Sequence, residues 1–352
     1  MSCFAKISII VISHNEERNI DECLESLLSL DYPKDSYEII VVDSSNDRTR
    51  DIVRKYGGVR LVPSNHKGFS SKRNTGIREA NYELIAFIDA DCIAPPEWLS
   101  KMLPRIMLPE VAAVGCNAYP PPDAPFFGKC IACLGKPAAG AIGFDSEVAF
   151  LDRGVSYIGS GCSIFKKKIL EQVGGFNERL SYGSEDVEIS ERIRDAHYIL
   201  EYNADAFVYH KTRNTLKQFI KWAFRRGMSH FYTNNPDLAK IFFEPFSPFW
   251  LIILAFAIVL LPIKYILPLI ALGLIFSALF LVQLVQGKFH WLFPTGRNKL
   301  RLLFERRRSI GVNIGTILFF IIPLFYMDRF IINLAQLYCK ISSFWKMERK
   351  EV

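Results

Sequence analysis

Short apolar runs and longer amphipathic segments alternate along the first 95 residues of the chain. The runs ISIIVIS (7–13), YEIIVVDSS (37–45) and YELIAFIDAD (82–91) contain few polar positions, as do strands that are covered on both faces. The segments between them, such as NIDECLESLLSL (19–30) and SSKRNTGIREA (70–80), are typical of helices. This alternation predicts an α/β fold with a doubly wound, mostly parallel sheet.

Polar residues stand where these predicted strands end. Ser13 ends the first run, Asp43 stands near the end of the second, and Asp89 and Asp91 stand at the end of the third. Ligands of doubly wound sheets bind at the carboxyl ends of the strands. The sequence therefore predicts a ligand site at this edge of the sheet.

The two carboxylates of Asp89 and Asp91 need a positive partner, because unpaired charges are costly to bury. Mg²⁺ or Mn²⁺ would suit them, since these ions accept one or two carboxylates and keep positions open for substrate phosphates. An ion pair with Lys72 or Arg73 is the alternative interpretation.

A second acidic pair, Glu185 and Asp186, stands at the start of a later predicted helix. One interpretation is a helix capped by Ser184, with negative charge favoured at its N-terminus. The other is that Asp186 points into a cleft as a general base for an attacking hydroxyl. Arg73 is then a candidate phosphate clamp, or else part of a solvated helix start.

The last third of the chain is strongly apolar. It predicts membrane spans at about 246–263 and 265–286, with a third, of unresolved topology, at 312–338; a buried helical hairpin is the alternative. The basic segments 217–227 and 296–308 fall on one side of such spans. We therefore expect a multi-pass protein of the cell membrane with a cytosolic catalytic domain. The basic segments would meet membrane lipids and account for the net charge of +7 without nucleic acid.

These patterns predict three parts: a cytosolic catalytic domain at 1–230, an amphipathic linker at 231–245 and a membrane domain at 246–352. Within the first part, residues 117–144 are rich in Pro, Gly and Ala and predict a long connection.

The eight cysteines include one CxxC pair, Cys130 and Cys133, with no second pair at zinc-site spacing. We expect reduced thiols rather than a metal or redox site.

Six segments together resemble a known family, the family 2 glycosyltransferases of the GT-A fold, over roughly residues 5–230. In order they are ISIIVISHNEERNIDECLESLL, EIIVVDSSNDRT, GFSSKRNTGI, YELIAFIDADC, GSGCSIFKKKILEQVGGFNERLSYGSEDVEISERIRDAHY and ADAFVYHK.

The resemblance implies a set of roles. Asp186 would be the catalytic base of the "ED" motif, and members of the family generally invert the anomeric carbon by direct displacement. The donor would contact Ser13, Glu16, Asp43 (at the nucleobase), Arg73, Asp89 and Asp91. Gly161 and Glu185 would lie on the acceptor side. Asp91, Asp89 and His210 would face the metal, although His210 could equally be a rim histidine.

Some residues depart from the family pattern. His14 replaces the usual tyrosine, "DSSN" replaces "DDGS", and Ala196 and His197 follow a helix that often ends in glycine. The segment QFIKW (218–222) resembles the "QxxRW" signature of processive synthases, with Lys221 in place of arginine. A membrane-surface helix bearing Arg225 and Arg226 is the alternative for this segment.

The expected function is an inverting transfer of a sugar from a nucleotide-sugar donor to a membrane-associated, lipid-linked (polyprenyl) acceptor in glycan or polysaccharide synthesis. Two alternatives from other classes stay open. One is a nucleotidyltransferase on a similar sheet, and the other is a non-catalytic membrane scaffold with a GT-A fold.

Overall fold

The computed structural model describes residues 4–66, 68–133, 153–180, 183–211, 213–234, 320 and 322–348. Its strands are β1 (Ile7–Ser13), β2 (Tyr37–Asp43), β3 (Val59–Pro63), β4 (Leu84–Asp89), β5 (Cys92–Ile93), β6 (Val111–Tyr119), β7 (Cys162–Lys166) and β8 (Ile199–His210). Its α-helices are α1 (Ile20–Leu28), α2 (Thr49–Val53), α3 (Phe69–Glu79), α4 (Trp98–Ile106), α5 (Phe126–Cys133), α6 (Lys167–Gln172), α7 (Glu185–Asp195), α8 (Leu216–Asn234) and α9 (Ile322–Glu348).

The described strands form one sheet in the order β3-β2-β1-β4-β7-β6-β8-β5. The first four of these strands run parallel, as the alternating sequence pattern predicts. Beyond β4 the sheet is mixed, because β7 runs antiparallel to both β4 and β6, while β6 and β8 are parallel. The α/β prediction is confirmed, and its parallel character holds for the N-terminal half of the sheet.

Both faces of the sheet are covered, which explains the continuous apolar runs. In β1, Ile7, Ile9 and Val11 pack into one cluster with residues of α1 and α4. Ile10 and Ile12 point the other way, into a second cluster with residues of α3, α6 and α7. Successive side chains of a strand alternate between faces, so a strand buried on both sides has no polar stripe.

The C-terminal helix α9 packs along α8. Gly227 of α8 makes room for it, since a Cβ at this position would lie 2.5 Å from the Ile332 carbonyl oxygen and 2.7 Å from the Ala335 Cβ. Arg226 of α8 forms an ion pair at 3.4 Å with Asp328, which is fully buried. The two helices are therefore held by a close approach of their backbones at Gly227 and by the ion pair of Arg226 with Asp328.

This arrangement corrects the predicted localisation of a multi-pass membrane protein with C-terminal transmembrane helices. Among the ranges that the structure describes, no helix combines the length and the apolar character that crossing a membrane requires. The second half of the third predicted span, 312–338, instead belongs to α9, which carries Asp328 into the contact with α8. The predicted spans 246–263 and 265–286 lie outside the described residues.

Candidate active site

The strand ends bring the first group of candidate residues to one edge of the sheet. The β1–β2 register places Ser13 opposite Asp43, and the β1–β4 register places Ile12 opposite Asp89. The backbone N–H of Asp89 donates to the carbonyl of Gly161, just before β7, at 3.2 Å. Gly161 therefore lies directly beside Asp89, the first residue of the Asp89–Ala90–Asp91 sequence, called the DxD motif below.

Arg73 of α3 joins the two acidic motifs that are far apart in the chain. Its guanidinium donates to Glu185 Oε1 at 2.6 Å and to Asp89 Oδ1 at 3.4 Å. The arginine is 4% exposed, and its Cζ lies 5.5 Å from the centre of the Phe176 ring. The predicted ion pair of Asp89 with Arg73 is therefore present, and it draws the DxD and ED motifs together.

Two buried polar atoms of the Arg73–Glu185 pair, Arg73 Nε and Glu185 Oε2, have no hydrogen-bond partner among the described residues. Native structures rarely leave buried polar atoms unpaired unless a ligand or water completes them. The Arg73–Glu185 pair thus has capacity for a polar ligand.

Asp186 follows Glu185 at the first turn of α7 and is half-buried. Its Oδ1 accepts the backbone N–H of Val187 at 2.9 Å. Burial raises the pKa of the Asp186 carboxyl to about 7, with a further rise from the negative charge of Glu185, while Arg73 opposes the shift. A carboxyl with this pKa can accept a proton near neutral pH.

Ser184 does not cap α7, contrary to the simpler interpretation of this motif. Its backbone lies in the left-handed region (φ 62°), and its hydroxyl lies 3.1 Å from that of Ser229 in α8. Asn15, in the loop after β1, is also left-handed (φ 60°). Such strained non-glycine residues cluster at functional sites.

Asp91 and His210 form the part of the site that fits a divalent cation. The antiparallel β5–β8 pairing sets Cys92 opposite His210, and His210 Nε2 lies 3.5 Å from Asp91 Oδ1. His210 is buried, and its Nδ1 has no partner within the described ranges. The ligand atoms of Asp91, Cys92 and His210 lie within 4.8 Å of one another.

Cys92 is the weaker member of this cluster. Burial raises the pKa of its thiol well above the ordinary value, and hard cations such as Mg²⁺ prefer oxygen ligands to sulfur. The carboxylate of Asp91 and the imidazole of His210 are therefore the side chains that suit such an ion. Asp89 is not part of this cluster and contacts Arg73 instead.

Asp43 is fully buried and its carboxylate is already saturated. Oδ1 accepts the hydroxyls of Ser13 (2.6 Å) and Ser45 (2.5 Å), and Oδ2 accepts the Ser45 backbone N–H (2.8 Å) and Arg50 Nε (2.7 Å). These hydrogen bonds lower the pKa of Asp43 against the effect of burial. Asp43 therefore shapes the loop around Ser13 and Ser45.

Lys72 is a buried residue whose partner the sequence does not reveal. It is 1% exposed, and its Nζ donates to the Ser13 carbonyl at 2.8 Å rather than to the DxD aspartates. Burial lowers the pKa of Lys72 to about 8, with Asp43 opposing the shift. Its position beside Arg73 in an otherwise small and polar stretch is the one signal that the sequence offers.

Glu16 connects the strand-end group to a neighbouring cavity. Its Oε2 accepts the Asn19 side-chain N–H at 2.7 Å. Burial raises the pKa of Glu16 to about 7, with a further rise from the negative charge of Asp91. Glu16 and Asp91 both line a cavity of about 500 Å³ that is bounded elsewhere by residues of the 121–125 segment, by Lys211, Arg213 and Asn214, and by α8.

Comparisons with known proteins relate this chain to glycosyltransferases. Residues 8–174 match the family described as Glycosyl transferase family 2. The glycosyltransferase AglE of Haloferax volcanii is 29% identical over 234 residues, which cover 63% of this chain and 71% of AglE. The poly-beta-1,6-N-acetyl-D-glucosamine synthase of Staphylococcus epidermidis is 26% identical over 226 residues, covering 62% of this chain and 53% of that protein.

Among solved structures, the mannosyltransferase PcManGT from Pyrobaculum calidifontis, in complex with GDP-Man and Mn²⁺, has a similar fold. The TM-score is 0.58 at 21% identity, with 88% of each chain covered. The sequence matches support a glycosyltransferase of the hexosyltransferase type, and the predicted enzyme class is confirmed. The family 2 match itself spans residues 8–174, a little under half of the chain.

Proposed function

We propose that this chain transfers a sugar from a nucleotide-sugar donor to a glycan acceptor, with inversion at the anomeric carbon. The observation that carries the proposal is the Arg73 bridge, which holds Glu185 at 2.6 Å and Asp89 at 3.4 Å. The bridge brings the DxD motif, which is suited to the donor phosphates, next to the ED motif, which is suited to base catalysis. Within this proposal, residues 1–230 are the catalytic domain.

The donor lies at the strand ends. Lys72 and Asp43 fix the backbone and hydroxyl of Ser13 from two sides, which preorganises the pocket for the nucleoside. Arg73 is close enough to the DxD motif to hold a phosphate oxygen when the donor enters, and its free Nε is the available donor atom. The GDP-Man bound to PcManGT supports this class of donor.

Asp91 and His210 would hold Mg²⁺ or Mn²⁺, which neutralises charge on the departing diphosphate. The Mn²⁺ of PcManGT supports this assignment. Asp89 contributes through Arg73, and Glu16 lines the same cavity as Asp91.

Asp186 acts as the general base. It removes the proton of the acceptor hydroxyl as the new bond to the anomeric carbon forms and the bond to the diphosphate oxygen breaks. A single in-line displacement of this kind inverts the anomeric centre. Glu185 adjoins the base and Gly161 contacts Asp89, and we assign both to the acceptor side.

The acceptor is a hydroxyl of a glycan. The similarity to a poly-beta-1,6-N-acetyl-D-glucosamine synthase supports a role in glycan or polysaccharide synthesis. A glycan carried on a polyprenyl group remains the acceptor class to test first.

A donor panel tests the proposal. The protein is incubated with several nucleotide sugars, Mn²⁺ and either water or glycan acceptors, and the released nucleotide and the anomer of the product are identified by NMR. We expect a nucleoside diphosphate and an inverted product. Formation of nucleotide sugar from a sugar phosphate would show a nucleotidyltransferase, and donor binding with no turnover would show a scaffold.

A further inference from the structure

The 500 Å³ cavity beside Asp91 has a basic wall that the proposed reaction does not use. Five basic side chains and three acidic ones line it among the described residues. The basic residues come from three parts of the chain: Arg18 after β1, Lys211 and Arg213 after β8, and Lys221 and Arg225 in α8. Their convergence is a product of the fold and not of one basic segment.

One face of α8 supplies much of this wall. Gln218, Lys221, Trp222 and Arg225 follow the spacing of successive helical turns and all line the cavity. Trp222 also orders the cations around it, since Arg213 Cζ lies 5.4 Å and Arg226 Cζ 4.6 Å from its ring centre.

Among the described residues, most of these cations are not held in close ion pairs, although the carboxylates of Glu16, Asp91 and Asp123 line the same cavity and the charge of Arg213 acts on Glu16. Lys211 pairs with Glu22 at 2.9 Å. Arg18, Arg213, Lys221 and Arg225 have no ion pair with an acidic side chain in the described part of the chain. Like charges gathered around a concave surface repel one another and attract an anion. Arginine and lysine are the side chains that most often bind phosphate.

The residues assigned to the donor lie mostly elsewhere. Ser13, Asp43 and Arg73 do not line the cavity, and only Glu16 and Asp91 are shared with it. The leaving diphosphate already has the cation at Asp91 and the guanidinium of Arg73. The basic side chains of the cavity outnumber the acidic ones, five to three among the described residues, so the cavity keeps an excess of positive charge.

We propose that this cavity binds a phosphate or diphosphate group carried by the acceptor, held by Arg18, Arg213, Lys221 and Arg225. This inference rests on the proposed function and names the acceptor class as phosphate-bearing. The cavity volume lies in the range of roughly 300–1,000 Å³ typical of small-molecule sites.

Calorimetry with inorganic diphosphate and with a hexose 1-phosphate, in EDTA, tests the site without a metal. We compare the wild type with the double variant Arg213→Gln/Arg225→Gln and with Lys217→Gln, which changes an exposed basic residue of α8 outside the cavity. We expect at least a tenfold loss of affinity in the double variant and none in Lys217→Gln. Circular dichroism and the melting temperature verify that both variants fold.

The second arm measures nucleotide-sugar affinity with Mn²⁺ by equilibrium dialysis. We expect the affinity of the double variant for the nucleotide sugar to fall by less than threefold. A loss of donor affinity equal to the loss for diphosphate would assign the cavity to the donor and overturn the inference, as would unchanged diphosphate affinity. Failure of the proposed function is distinguishable, because the wild type would then bind diphosphate but show no turnover of any donor.

Discussion

At the scale of single residues, Arg73 shows why an arginine is needed where a lysine would keep the charge. Its two terminal nitrogens face two acids from different motifs, and the whole side chain is buried. A planar fork can satisfy both acids at once, whereas an ammonium group on a flexible stem cannot.

Arg73→Lys should therefore weaken both stability and donor binding. One buried acid loses its partner, which costs about 1–3 kcal/mol of unfolding free energy. We also expect at least a tenfold loss of nucleotide-sugar affinity. Urea unfolding and equilibrium dialysis measure the two effects. Arg78→Lys, an exposed change in the same helix, is the control; equal behaviour of the two variants would contradict this role for Arg73.

Asp186→Asn should lower turnover by about 10²–10⁴-fold, the usual contribution of a general base. In the wild type, kcat/KM should rise with pH up to about 7 and then level off, because the base must be ionised and the pKa of Asp186 is raised to about 7. Glu191→Gln, at an exposed position of the same helix, should change neither the turnover nor the pH dependence of kcat/KM. Near-normal turnover of Asp186→Asn would indicate an acceptor that is already ionised, such as a phosphate.

The same substitution should stabilise the fold at alkaline pH. A carboxyl whose pKa is raised on folding binds its proton more tightly in the native state. Its contribution to stability is present below the unfolded pKa near 4 and is lost as pH rises through 7. The melting temperature of Asp186→Asn should therefore exceed that of the wild type at pH 8, and the gap should narrow towards pH 5. A constant gap would show that ionisation is not the cause.

At the scale of elements, the site depends on where helices meet the sheet. α3 carries Lys72 and Arg73 to the strand ends, and α7 begins at a strained residue that presents Glu185 and Asp186. α8 lines the cavity on one face and contacts α9 through Arg226 and Gly227.

Gly227→Ala should weaken the contact between α8 and α9. The new methyl group would meet the backbone of Ile332, which cannot move away as a flexible side chain can. Overpacking of this kind costs about 1–3 kcal/mol of unfolding free energy, and we expect faster proteolysis within α9. Gly57→Ala is the matched control, because a Cβ there has no neighbour within 4 Å. Identical urea midpoints for the two variants would contradict the close contact.

At the scale of the whole molecule, the sequence predicts what depends on local pattern. The apolar runs locate β1, β2 and β4, and the motifs identify both acidic pairs. It does not predict that Lys72 binds the Ser13 carbonyl or that Asp43 is saturated, because these contacts depend on the packing of α3 and α2 against the sheet. Arg18 and Arg213 line the same cavity. The pairing of β5 with the end of β8 sets Lys211 beside Asp91 at its edge, and no local signal marks this two-residue strand.

Binding of Mn²⁺ should stabilise the entire fold, because a ligand that binds only the native state shifts unfolding by mass action. At a free concentration of 100 Kd the gain is about 2.7 kcal/mol. We expect Asp91→Asn and His210→Ala to remove the Mn²⁺-dependent rise in melting temperature, and Asp35→Asn, an exposed change, to keep it. An unchanged rise in the first two variants would place the ion elsewhere.

The two faces of α8 have a practical consequence for anyone who shortens this chain. A cut at residue 230 would sever α8 before its end at Asn234 and discard α9. Arg226 would then lose its ion pair with Asp328, and the surface of α8 at Gly227, which α9 covers, would be exposed to solvent. During synthesis, likewise, α8 can make this contact only after residues 322–348 have been translated.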